Sequence, residues 1–315
     1  MTSGQCTVPE VVLAIDIGGT TVKGSVFVDG NEVPPGSTVP TFEKSSGAFD
    51  AVLAVLSALA GTARALGHEP TAIGVGTPGL VDRRAGMVRY AANLGWTNLP
   101  LGQLLETRFG VPTLIDHDAR TAARAEMAAR PALRNFVFIP IGTGVSAAVV
   151  VAGKTVAGAR GQAGELGHIP TVPNGRPCSC GQFGCLEAYA SAGAVLARYI
   201  AGGGNAESAA DVAGVVGKDG LANEVWADAV NSLATGITTL TATLDPEEII
   251  IGGGLGAAGS VLLDPLREKV ESLLRWRDPP AISASRAGPR AGLLGAALLG
   301  SAARSNSTHT GQESS

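Results

Sequence analysis

Residues 161–187 read GQAGELGHIPTVPNGRPCSCGQFGCLE and hold three of the chain's four cysteines, Cys178, Cys180 and Cys185, within eight positions. His168 lies ten residues before the first of them, and Glu165 and Glu187 flank the cluster. Three thiolates and one imidazole make the ligand set of a closed, tetrahedral structural zinc site with no open position for a reacting water. Gly181, Gly184 and the Pro-Asn-Gly turn at 173–175 let the backbone turn tightly enough to gather the sulfurs. The plainer alternative is a loop of reduced or disulfide-bonded thiols. A Cys-x-Cys pair closes on itself poorly, however, and three clustered thiols leave one over. The spacing therefore predicts structural Zn²⁺ on His168, Cys178, Cys180 and Cys185.

A chain of 315 residues, 45% hydrophobic and 16% charged, has the length of two ordinary domains and the apolar content for a large core. A net charge of −4 gives no reason to expect a nucleic-acid or membrane-surface partner. No unbroken apolar run of spanning length is expected. The opening MTSGQCTVPE lacks the basic and apolar regions of a signal peptide, and thiol metal ligands point to the cytoplasm. Cys6 reads as a tail thiol, and the Ser/Thr-rich stretch from Ser301 as a frayed end.

In chain order, Val11–Ile15 is a strand, Asp16-Ile17-Gly18-Gly19-Thr20-Thr21 a turn, Val22–Val28 a second strand, and Asp29-Gly30-Asn31 a hairpin. Glycine N–H groups and threonine hydroxyls can hold phosphate oxygens, and a strand-end carboxylate can hold Mg²⁺ through water. The plan recurs at Phe136–Ile141, Gly142-Thr143-Gly144, Val145–Val151 and Ala152-Gly153-Lys154, with Pro140 at the place of Asp16. Two such units predict a duplicated domain with a nucleotide held between facing turns. Between them come a helix Ala48–Leu66, a strand Ala72–Val75, the turn Gly76-Thr77-Pro78-Gly79 and the loop Asn93-Leu94-Gly95-Trp96. That loop suits a small-molecule pocket or a plain surface turn. Val111–Ile115 reads as a strand and Ala119–Ala129 as a helix, with Asp116-His117-Asp118 between them. A carboxylate there can simply cap the helix, or it can take a proton from a substrate hydroxyl. Further on, helices are expected over Glu187–Ile200, Leu221–Leu244, Leu266–Leu274 and Gly292–Ala303, and a strand over Glu248–Ile251. That strand runs into Gly252-Gly253-Gly254, which either packs strand on helix or lets adenine lie against backbone.

Asp16-Ile-Gly-Gly-Thr-Thr, His117-Asp118-Ala119, Gly142-Thr143-Gly144, Gly164-Glu165-Leu-Gly-His168, the Cys-x-Cys-Gly-x-x-Gly-Cys-x-Glu of 178–187 and Ile251-Gly-Gly-Gly254 follow one another in this order. Together they resemble the ROK family of bacterial sugar kinases and repressors, from near Val11 to near Gly300. The resemblance implies an α/β fold similar to actin and hexokinase (ribonuclease H-like), with a nucleotide–sugar cleft between two lobes. The first lobe would span 1–118 and the second 119–300, the last helix packing back on the first lobe, with a disordered tail over 301–315. Asp118 would be the catalytic base. Gly79, Asn93, His117, Glu165, His168 and Glu187 would face the sugar with it. Asp16, Gly18, Gly19, Thr20, Thr21, Lys23, Gly142, Thr143, Gly144, Gly253 and Gly254 would hold ATP and Mg²⁺. A homo-oligomer, dimer or tetramer, is also implied.

One departure stands out. The family usually has Asn immediately before the base, touching one edge of the sugar, and here that residue is His117. An imidazole is bulkier and stiffer than an amide. Glucose 6-phosphorylation is the first expectation. A kinase of N-acetylmannosamine, an amino sugar such as kanosamine, or a carbasugar is the second. A non-catalytic sugar-sensing regulator is the third, opposed by Asp118, by both phosphate turns and by the lack of room before Asp16 for a helix-turn-helix domain.

Overall fold

The computed structural model describes residues 9–41 and 47–310; Cys6 lies outside them. The chain divides into two compact units, one formed by Met1–Ala125 with Arg290–Ser315 and the other by Glu126–Pro289. The division falls seven residues later than the boundary expected at 118/119, inside a helix, and the last helix goes with the first unit.

In the first unit β1 (Val11–Ile17), β2 (Thr21–Val28) and β3 (Asn31–Pro40) form an antiparallel meander. Asp29 (φ 48°) and Gly30 (φ 77°) make its second turn, both left-handed as a tight hairpin of this kind requires. Helix α1 (Ala48–Ala65) then crosses over to β4 (Ala72–Thr77), which lies parallel to β1. A small sheet of β5 (Leu80–Asp82), β6 (Met87–Ala91) and β7 (Trp96–Leu99) follows, then α2 (Leu101–Phe109) and β8 (Thr113–His117), parallel to β4. The main sheet has the order β3-β2-β1-β4-β8. β8 runs two residues beyond the expected strand, so Asp116 and His117 are strand residues and Asp118 opens α3 (Asp118–Ala129).

The second unit repeats this plan. β9 (Phe136–Pro140), β10 (Ala148–Val151) and β11 (Lys154–Thr155) are antiparallel, turning at Ala152 and Gly153. α4 (Glu187–Ala190), α5 (Ala192–Ala201), α6 (Ala209–Val215) and α7 (Gly220–Leu244) come next. β12 (Glu248–Gly252), the single turn α8 (Gly253–Gly256), α9 (Ser260–Leu273) and β13 (Ala281–Ala284) complete the unit. Its sheet, β11-β10-β9-β12-β13, has the same order and the same directions as the first. The correspondence holds residue by residue: Asp16 pairs with Gly76 at the end of β1, and Pro140 pairs with Gly252 at the end of β9.

Finally α10 (Ala291–Thr310) packs on β1 and β4. Its small residues set the approach. A Cβ on Gly300 would lie 2.3 Å from Val12 Cγ1, and one on Gly74 of β4 only 1.9 Å from Ala296 O. Ser301–Thr310 is thus helical where a frayed tail was expected. The stretch Glu187–Ile200 is two helices, because Ser191 turns extended and its hydroxyl accepts from Ala194 N at 3.1 Å, capping α5. α9 starts six residues before its expected N-terminus and contains Pro265. By length and composition α1, with a mean hydropathy of 1.4 over 18 residues, could cross a membrane, contrary to expectation. Its apolar stripe, Val52, Val55, Leu56, Leu59 and Ala63, is buried in the core of the first unit with Leu13, Ile15 and Val26.

Candidate active site and metal centre

In the first unit the β1–β2 turn is closed by Gly18 N donating to Thr21 O at 2.8 Å. Thr41 buttresses it from behind, its hydroxyl donating to Gly18 O at 2.8 Å and its N to Thr20 O at 2.9 Å. Gly19 and Thr20 are left exposed, and a Cβ on Gly19 would stand 3.4 Å from Asn93 Nδ2, so the Asn93 loop adjoins this turn. Asp16, at the end of β1, is pushed up to about 6, first by burial and then by the charge of Asp118, while Lys23 opposes the shift. Lys23 faces it across the β1–β2 ladder. The structure thus gathers Asp16, Asp118, Lys23 and the glycine turn, all within one unit. Two like-charged carboxylates beside a lysine favour a cation, and a glycine–threonine turn favours phosphate oxygens.

Asp118 stands at the first position of α3 with its side chain 37% exposed, reachable by a substrate. Its Oδ1 accepts from Ala119 N at 2.6 Å and lies 3.1 Å from His117 Nδ1. Gly79 has φ 97°, and a Cβ there would meet Tyr90 O at 2.3 Å, so packing on β6 alone requires glycine.

In the second unit Gly142 N donates to Gly144 O at 2.9 Å, closing the β9–β10 turn. Glu187 Oε2 accepts from Val145 N at 2.9 Å, and a Cβ on Gly144 would stand 2.6 Å from that oxygen. Glu187, expected to face a sugar, is thereby bonded to the phosphate-type turn. Gly253 has φ 75° and sits so close to Ile141 that a Cβ would meet its O at 2.4 Å, whereas Gly254 has open space around it. The glycine run therefore serves packing at Gly253 and leaves room at Gly254.

The Cys/His loop closes on itself. Cys178 N donates to Gln182 O at 2.8 Å, and Leu186 N to Ile169 O at 2.9 Å. Gly181 (φ 89°) and Gly184 (φ 76°) take the left-handed turns, and a Cβ on Gly184 would stand 1.8 Å from Val172 O. One ligand atom each from His168, Cys178, Cys180 and Cys185 lies within 4.8 Å of all the others. Cys180 Sγ is 3.7 Å from Cys185 Sγ, and Cys178 Sγ 3.7 Å from His168 Nδ1. Zinc–sulfur bonds of about 2.3 Å put tetrahedral sulfurs about 3.8 Å apart, so the four residues fit Zn²⁺. Burial, and then the neighbouring thiols, push the Cys185 thiol up to about 12. A bound cation reverses that preference, since a coordinated thiol is deprotonated. His168 turns Nδ1 to the sulfurs and Nε2 toward Glu165, 3.9 Å from its Oε2. A metal on Nδ1 would fix the ring and leave Nε2 and Glu165 as an outward-facing polar pair.

Three supports escaped the sequence reading. Thr41 lies twenty residues from the turn it braces, and nothing local marks it. Gly292 lets α10 reach Asp16: a Cβ there would lie 2.3 Å from Asp16 Oδ2. Asp116 is buried and accepts from His117 N and Arg120 Nε, both at 2.8 Å, and the i,i+4 spacing of Asp116 and Arg120 was the available signal.

The profile described as "ROK family" matches residues 12–303. A glucokinase of Streptomyces coelicolor is 34% identical over 313 residues, covering 92% of this chain and 97% of that protein. An N-acetylmannosamine kinase of Salmonella agona is 36% identical over 294 residues, covering 91% and 97%. Among solved structures, the ROK family glucokinase from Streptomyces griseus in complex with glucose and AMPPNP superposes with a TM-score of 0.80 at 29% identity, covering 93% of this chain and 99% of that one. With its duplicated sheets and Cys/His loop, the chain belongs to the ROK family and has the α/β fold of its kinases.

Proposed function

We propose that the protein is an ATP-dependent sugar kinase that transfers the γ-phosphoryl group to the 6-hydroxyl of a hexose, with glucose first among the candidates. The observation that carries this reading is the half-exposed Asp118 at the start of α3, beside Asp16 and the Gly18–Thr21 turn in one unit. The glucokinase relatives and the glucose–AMPPNP complex of the Streptomyces griseus enzyme support it.

Phosphoryl transfer needs positioning and charge neutralisation rather than covalent help from the protein. Asp118 orients the attacking hydroxyl and accepts its proton late. The N–H groups of 18–21 and 142–144, with the hydroxyls of Thr20, Thr21 and Thr143, hold phosphate oxygens. Asp16 would hold Mg²⁺, which would supply charge neutralisation for the triphosphate. Glu165 and His168 Nε2 contact sugar hydroxyls, and Zn²⁺ on His168, Cys178, Cys180 and Cys185 supports that geometry without taking part in the transfer. Glu187 contributes by holding the 142–145 turn as well. The thiolate ligand set suits a reducing compartment, so the cytoplasm is the proposed location.

His117 favours a second reading, a kinase for an N-acylated or amino hexose, and the Salmonella N-acetylmannosamine kinase relatives support it. ADP release from MgATP against glucose, mannose, N-acetylmannosamine and kanosamine separates the two. Turnover on glucose at least tenfold above the others establishes the first reading, silence on glucose with turnover on an amino sugar the second, and silence on all four refutes both.

A further inference from the structure

We propose that His117 is the positioning residue of the base, its Nδ1–H donating to Asp118 Oδ1 so that the carboxylate is held and Oδ2 is left for the substrate hydroxyl. The functional part rests on the kinase reading; the hydrogen bond does not.

His117 closes β8 with its ring buried, and Nδ1 lies 3.1 Å from Asp118 Oδ1. Two proton placements suit the neighbours. In one, Nδ1 is bare and accepts from Ala119 N at 3.3 Å; in the other it carries hydrogen and donates to Oδ1. Ala119 N–H already has a nearer acceptor in Oδ1, at 2.6 Å. A bare Nδ1 would then set a lone pair against a carboxylate oxygen with no hydrogen between them, an arrangement that repels. The proton belongs on Nδ1.

The backbone of His117 is also anchored. His117 N donates to Asp116 Oδ1, and Asp116 is held by Arg120 Nε at 2.8 Å and approached by Arg124 at 3.5 Å, with Asp116 and Arg120 both fully buried. The strand end that carries His117 is thus fixed by a buried ion pair. Other titratable groups come from neighbouring elements. The charge of Asp118 acts on Asp16, and Lys23 opposes it there. β5 ends in Asp82, engaged by Arg89, and Glu106 of α2 accepts from Thr113 N at the far end of β8. β4 carries none, and α10 brings Arg304. Asp118 is the carboxylate bonded to the ring.

An amide at position 117 could donate in the same way but could never carry charge. The imidazole, stiffer than an amide, aims the base.

The test uses the ¹⁵N shifts of the imidazoles in the substrate-free protein, the His117 signals being assigned by their loss in His117→Asn. The proposal expects the neutral ring to be protonated on Nδ1 and bare on Nε2. A ring protonated on Nε2 with Nδ1 bare overturns the hydrogen bond. In kinetics, His117→Ala should lower kcat about tenfold or more with sugar KM changed less, and His117→Asn should recover part of it. Wild-type kcat in His117→Ala overturns the positioning role. A wild-type protein inert toward every sugar would sink the kinase reading instead, and the ring's tautomer would still decide the hydrogen bond.

Discussion

At the residue scale the account turns on two carboxylates with different tasks. Asp118 is reachable and is the proposed base. Its replacement by Asn should lower kcat at least about 10³-fold while sugar binding by calorimetry persists; turnover within tenfold of wild type would remove Asp118 from that role. Asp16 is the buried partner, raised to about 6. Because its folded-state pKa lies above the unfolded value near 4, the native state binds this proton more tightly. Its stabilising contribution is full below about pH 4 and is lost as pH rises through about 6. Without divalent cation at pH 8, Asp16→Asn should therefore melt at a higher temperature than wild type, the gap closing near pH 4, while phosphoryl transfer is lost. A variant that melts lower at pH 8 would contradict the burial argument. The charged residues were legible because short motifs surround them. His117 was legible as a departure, but its bond to Asp118 was not, since adjacent residues on an extended strand point apart and the strand ends between these two.

Elements were legible where hydrophobic period and turn chemistry agreed, as in β1–β2, α1 and α7. They were misjudged where a side chain overrode the period. Ser191 splits an apolar run that reads as one helix, because its hydroxyl caps α5. The polar run after Ser301 stays helical as the continuation of a helix already fixed on β1 and β4 through Gly300 and Ala296. That docking makes the α10 glycines sensitive. Gly295→Ala would place a methyl 1.8 Å from Thr121 O, a backbone atom with no freedom to yield. Overpacking of this kind costs about 1–3 kcal/mol, to be read from urea unfolding; an unchanged midpoint would mean that α10 sits further from α3. Gly292→Ala should displace Asp16 and lower kcat at least as much as it lowers stability. For the metal loop, Cys180→Ser should lose one bound zinc by elemental analysis and open the 165–187 segment to proteolysis. Full metal content in that variant would refute the ligand set.

For the whole molecule, one strand plan appears twice with the order and directions kept, and the pairing of Asp16 with Gly76 and of Pro140 with Gly252 marks the two ends that diverged. That duplication was visible in the spacing of two strand–turn–strand segments. The exact division was not, because it falls within α3, where the apolar period runs on without a break. A family-wide fold does not choose the sugar; the side chains that line the site do. The most direct measurement is ³¹P NMR of the protein with MgATP and glucose, followed by identification of the phosphorylated carbon. The account predicts loss of the γ-phosphate signal and growth of one phosphomonoester on the 6-oxygen, both absent with Asp118→Asn. ATP left intact with glucose and with every amino hexose tried would contradict it.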